Sequence, residues 1–114
     1  WKWSGWTKWF KLYSWKGKIL EKKPNKLPHL GWSTVSFKTE DKLFNGIENN
    51  RDFYFIHSYF FDCEDKKNII GTTNYNQSFA SIVKKNNIYG VQFHPEKSLK
   101  NGLKILDNFL KLNE

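Results

Sequence analysis

The chain has 114 residues, 39% of them hydrophobic and 26% charged, and carries a net charge of +8. That length allows one domain at most, and no apolar run approaches a membrane span, nor does a signal-peptide pattern open the chain, so a soluble cytosolic protein is expected. A single cysteine, Cys63, excludes an internal disulfide framework and a cysteine-based zinc site. Most of the charge lies early. Residues 1–30 hold eight lysines against Glu21 alone, whereas from Gly31 onward basic and acidic groups nearly balance, leaving no basic face to track a phosphate backbone.

In residues 1–16, Trp1, Trp3, Trp6, Trp9 and Trp15 are mixed with lysines as in a peptide that lies on a membrane surface. Helical spacing is poor, however, and Gly5 weakens any helix. Tryptophan has the codon TGG alone, and moving the frame by one base turns TGG and its next base into a glycine codon. Residues 1–16 are therefore expected to be an atypical, out-of-frame segment, with 17–114 forming the domain. A basic membrane- or nucleic-acid-binding protein acting through this segment is the rival reading.

Gly17–Lys22 suits a short strand, and Lys23 to Lys26 a turn around Pro24. Leu27-Pro28-His29 leads through Gly31-Trp32 into a strand from Ser33 to Lys38, with Val35 and Phe37 on one face and Thr34 and Ser36 on the other. His29 reads as a structural or solvent-exposed imidazole, with no second metal ligand evident beside it. Trp32 reads as a core aromatic at a strand start. Leu43 to Ile47 predicts a short helical turn stopped by Gly46. Arg51–Ser58 is apolar almost throughout, which predicts a strand covered on both faces, with His57 and Tyr59 at its end. Cys63 sits among Asp62, Glu64 and Asp65, whose negative charge suppresses a thiolate, so it reads as a bystander rather than a nucleophile.

Asn68–Tyr75 and Phe79–Lys84 predict two strands joined through Asn76-Gln77-Ser78, followed by a turn at Lys85-Asn86-Asn87. Ile88, Val91 and Phe93 then predict a strand that Pro95 ends. The residue before a proline is pushed out of the α region, so His94 should be extended, with Glu96 just beyond the bend. An imidazole and a carboxylate delivered together suit a base held in one tautomer. Asn101–Leu112 closes the chain as an amphipathic helix whose Leu103, Leu106, Phe109 and Leu110 are expected to be core.

The string Gly-Val-Gln-Phe-His-Pro-Glu-Lys-Ser, residues 90–98, resembles the motif carrying the catalytic His and Glu of class I (triad) glutamine amidotransferases. Leu27-Pro28-His29-Leu30-Gly31-Trp32, Phe53 to Tyr59 and Gly71-Thr72-Thr73-Asn74-Tyr75 add to the likeness. Together they look most like the family of glutaminase subunits of imidazole glycerol phosphate synthase, from Gly17 to the C-terminus. Shifting the frame over Trp9 to Lys16 gives a run compatible with the family's Gly-Leu-x-x-Ile-x-Gly-Lys at this place.

The resemblance implies an α/β fold: the incomplete C-terminal half of an amidotransferase domain, a flavodoxin-like three-layer sheet with added antiparallel strands. It implies His94 and Glu96 as catalytic residues, with no cofactor or metal. It makes Trp32 an exposed anchor and Lys97 and Tyr59 interface residues for a (β/α)8 cyclase in a cytoplasmic heterodimer, Tyr59 helping to line the ammonia exit. Glutamine is the substrate of the intact protein, and neither nucleic acid nor membrane is a partner. The Gly-x-Cys-x-Gly elbow that would carry the nucleophile is not in this sequence, so the chain alone is expected to be inactive. A paralogous amidotransferase supplying ammonia for a cell-surface sugar would show the same strings.

Overall fold

The structure, a computed structural model, describes residues 16–63 and 65–112. The Trp/Lys-rich segment up to Trp15, with its out-of-frame reading, lies outside the described residues. Seven strands follow: β1 (Lys16–Ile19), β2 (His29–Phe37), β3 (Arg51–His57), β4 (Tyr59–Asp62), β5 (Ile69–Tyr75), β6 (Gln77–Lys85) and β7 (Ile88–Val91). Short 3-10 turns occupy Lys42–Phe44, Lys66–Asn68 and Pro95–Lys97, and helix α1 (Leu99–Leu112) comes last. None of the described helices is long and apolar enough to cross a membrane.

The main sheet has the order β3-β2-β5-β6-β7, and β1 pairs with β4 as a separate ribbon. Every pairing among the described strands is antiparallel. The turns follow from residues that tolerate a left-handed backbone: Asn76 (φ 64) joins β5 to β6 and Asn86 (φ 57) joins β6 to β7. Asn76 also accepts from the Asn25 amide and donates to the carbonyls of Glu21 and Asn25, fastening the loop after β1 to this hairpin.

β6 carries the core on both faces. Thr72 pairs with Ala80 while Gly71 pairs with Ile82, so Ser81 is left between the pairs as a bulge. Phe79 and Ile82 thereby enter the main core with Val35, Leu43, Phe53, Phe55, Phe93 and Ile105. Ala80 and Val83 face a smaller cluster with Phe61 and Cys63. Gly71 is needed beneath Ile82, because a Cβ there would lie 2.9 Å from its Cγ1.

Two expectations need correcting. β3 is covered on one face only: Phe53 and Phe55 are buried, whereas Asp52 and Ile56 are exposed, because nothing among the described residues packs against that side of the sheet. Helix α1 turns Gly102, Ile105 and Asn108 inward, and Leu103 and Leu110 stay 60% and 64% exposed. The reason is local. Asn108 donates from Nδ2 to the carbonyls of Leu43 and Asn45, and Gly102 lets the helix approach the Pro95 carbonyl too closely for any Cβ. Those two fits fix the helix rotation and leave the leucine row outside.

Candidate active site

β7 stops at Val91, short of the expected strand end, and the chain then bends through Gln92 and Phe93 into the Pro95–Lys97 turn. Phe93 is fully buried against Phe53, with ring centroids 4.4 Å apart, and this plants the bend in the core. His94 is extended, φ −96 and ψ 101, as the following proline requires. Its backbone N–H donates to the Tyr54 carbonyl at 2.8 Å. Buried Ser98 completes the staple: its Oγ accepts from the Tyr54 amide at 2.9 Å and donates to the His94 carbonyl at 2.6 Å. The turn is thus held to β3 on both sides of the imidazole.

His94 Nδ1 and Glu96 Oε2 are 2.9 Å apart, with the side chains 23% and 38% exposed. A carboxylate at that distance accepts from Nδ1–H and makes Nε2 the nitrogen that carries the lone pair. Chemically, such an arrangement can take a proton at Nε2 and return it, with the carboxylate stabilising the imidazolium.

A second histidine pair lies alongside. The carbonyl of Tyr59 can only accept, so His57 Nδ1, 2.9 Å away, carries a proton. His57 Nε2 then accepts from His29 Nδ1 at 2.9 Å, and His29 Nε2 accepts from the Ser33 hydroxyl at 2.7 Å. His29 is buried between the rings of Tyr75 and Phe55, at 4.0 and 4.7 Å. Burial, and then the neighbouring His57, lower its pKa from 6.5 to about 4. His57 is also held below its ordinary value, chiefly by burial; the Tyr59 carbonyl works against this and His94 adds to it. Sequence reasoning took these histidines singly. The cross-strand register that pairs His29 with His57 would have joined them, but register was not legible.

Trp32 is 47% exposed and sets its ring edge-on to Tyr54 at 5.6 Å, so it is not the core aromatic that one reading expected. Leu30, Ile56 and Trp32 lie on one exposed face of the β2–β3 pair, with Tyr54 beside them. Tyr59 and Lys97 are also exposed. Cys63 is buried in the second cluster and donates to the Asp65 carbonyl at 3.3 Å. Burial leads in pushing its thiol pKa up, and Asp65 and Asp62 add to the shift. The flanking carboxylates read from the sequence are therefore the lesser cause.

The family model of class-I glutamine amidotransferases matches residues 12–112. The chain belongs to that family. Among its relatives, imidazole glycerol phosphate synthase subunit HisH 2 of Methanococcus maripaludis is 56% identical over 86 residues, covering 75% of this chain and 43% of that protein. The subunit HisH of Methanocaldococcus jannaschii is 47% identical over 98 residues, covering 85% and 50%. The amidotransferase chain thus spans about half the length of the curated relatives it matches. Among solved structures, a GMP synthase subunit from Thermoplasma acidophilum superposes with TM-score 0.68 at 19% identity, over 88% of this chain and 49% of that one. That likeness shows the shared fold, of which this chain supplies the antiparallel strands and one helix.

Proposed function

We propose that this chain is the proton-handling part of a glutaminase subunit of imidazole glycerol phosphate synthase, with glutamine as substrate of the intact protein and ammonia delivered to a (β/α)8 cyclase partner in histidine biosynthesis. The observation that carries the reading is the Glu96–His94 contact, fastened to β3 at the end of β7. A cysteine thiolate from the part of the intact protein that this chain does not include attacks the side-chain amide carbon of glutamine. His94 Nε2 holds the thiol proton and passes it to the nitrogen, so that ammonia leaves as the thioester forms. His94 then takes a proton from the water that releases glutamate, and Glu96 keeps the ring in one tautomer through both steps. Buried Cys63 is not that thiolate.

The exposed Trp32 face, together with Tyr59 and Lys97, is the proposed contact with the cyclase, and residues 17–114 are the proposed extent of the domain, 1–16 being the atypical segment. A chimera tests the chemistry: residues 27–98 of this chain replace their counterpart in the Methanococcus maripaludis relative. With the cyclase present, the chimera should release ammonia from glutamine. His94→Ala should cut turnover by a factor on the order of a million, as for the members of a cooperating triad. Turnover that survives His94→Ala overturns the proposal.

A further inference from the structure

The chemistry proposed above uses His94 and leaves two imidazoles beside it without a task. Ser33, His29, His57 and the Tyr59 carbonyl form one hydrogen-bonded row in which every donor points the same way. The Ser33 hydroxyl donates to His29 Nε2, His29 Nδ1–H to His57 Nε2, and His57 Nδ1–H to Tyr59. Each ring's one lone pair is therefore taken by a donor from β2. Packing holds the row in place: His29 is buried between Tyr75 and Phe55, and the His57 ring lies 5.0 Å from Phe79 and 5.5 Å from Phe55. Two further titratable groups meet the row. Tyr75 covers His29 from β5, with its hydroxyl donating to the Lys26 carbonyl, and His94, with Glu96 at its Nδ1, acts electrostatically on His57 from the turn after β7. A charge on His57 and a charge on His94 therefore oppose each other.

We propose that His29 and His57 are positioning residues for the glutaminase reaction: His29 occupies the lone pair of His57, so that the imidazole beside His94 stays uncharged while His94 holds the thiol proton. This rests on the glutaminase reading above. The need is electrostatic. His94 becomes an imidazolium in that step, and Glu96 stabilises it from one side; a second imidazolium at His57 would oppose it from the other. With Nδ1–H already bonded to Tyr59, His57 can take a further proton only at Nε2, and doing so would expel the His29 donor. Burial favours the same outcome, yet His57 is only half-buried, and the occupied lone pair closes the route that water leaves open. Burial between two rings in turn keeps His29 neutral, with its pKa lowered to about 4, so the donor itself does not add a charge.

Imidazole nitrogen chemical shifts of the unmodified full chain read the row directly. His29 and His57 should each carry the proton on Nδ1, and His57 should stay neutral through the pH range in which the His94 resonances titrate. His29→Phe keeps a ring between Tyr75 and Phe55 but removes the donor, so His57 should take up a proton at higher pH than in the parent. His29→Asn, whose amide nitrogen replaces Nδ1, should restore the parent behaviour. In the chimera, His29→Phe should leave glutamine turnover within about twofold of the parent near pH 8 and lower kcat about tenfold near pH 6, with KM unchanged. Adding His57→Phe should abolish that difference. A His57 proton on Nε2 in the parent, a His57 titration that His29→Phe leaves where it was, or a loss of turnover equal at both pH values would each overturn the proposal, the last marking His29 as a support of the fold alone. If circular dichroism shows His29→Phe unfolded, the nitrogen shifts of the parent and of His29→Asn decide. A chimera that releases no ammonia, while the nitrogen shifts follow the expected course, upholds the neutral row and counts against the glutaminase reading.

Discussion

His29 is a base that the fold keeps neutral. Its pKa falls from 6.5 to about 4 through burial and the adjacent His57, so above pH 6.5 neither the folded nor the unfolded chain holds the proton. As pH falls through that window the unfolded chain takes up a proton that the folded chain refuses, and stability is lost. The expected loss is on the order of 3 kcal/mol from this residue. Urea unfolding across the window should show it, and His29→Gln, which keeps a polar side chain without the titration, should flatten most of the slope. Gly102 sets two effects against each other. Alanine would favour the helix by about 1 kcal/mol, but its Cβ would lie 2.0 Å from the Pro95 carbonyl oxygen and 2.6 Å from Ser98 Cβ. A backbone oxygen cannot rotate away, so Gly102→Ala should destabilise by roughly 2 kcal/mol net. It should also pull the His94 turn from β3, seen as a shifted His94 imidazole resonance.

At the scale of elements, the positions of the turns were legible because their causes are local. Asn76, Asn86 and Gly46 take left-handed positions, and Pro95 keeps His94 extended and opens the turn that follows, although the motif strand itself stops earlier, at Val91. The helix was legible as a helix but not in its rotation. Two apolar-looking stripes compete around α1, and the one chosen contains a glycine and an asparagine rather than the leucine row. Hydrophobic periodicity cannot anticipate that, since the deciding contacts are the Leu43 and Asn45 carbonyls, which lie 65 and 63 residues away in sequence. Asn108→Ala should therefore cost about 1–3 kcal/mol by orphaning those carbonyls, an effect measurable in thermal or urea unfolding. Asp41 works the same way between elements. Burial alone would raise its carboxyl pKa, but bonds from Lys84, the Leu43 amide and Tyr89 outweigh it and hold the group below its ordinary value.

At the scale of the molecule, the His94 turn and the exposed aromatic face share Tyr54. Its backbone bonds His94 and Ser98, while its ring meets Trp32. Large aromatics at the centre of an interface, the place proposed for Trp32, often contribute about 2 kcal/mol or more when truncated. In the chimera described above, Trp32→Ala should weaken binding to the cyclase roughly thirtyfold, read by titration, with the melting temperature little changed because the side chain is outside the core. Unaltered affinity would remove Trp32 from the interface.

The sequence by itself determined the family, through the unbroken string from Gly90 to Ser98, and with it the placing of His94 and Glu96 on either side of one bend, because Pro95 fixes its own φ and pushes His94 out of the α region. Only the tertiary structure decided which face of α1 is core, that β3 has an open side, and that His29 and His57 form one hydrogen-bonded chain. Each of these depends on strand register or on a contact between distant segments. Local chemistry constrains a turn, but it carries no information about which remote carbonyl or ring will be its neighbour.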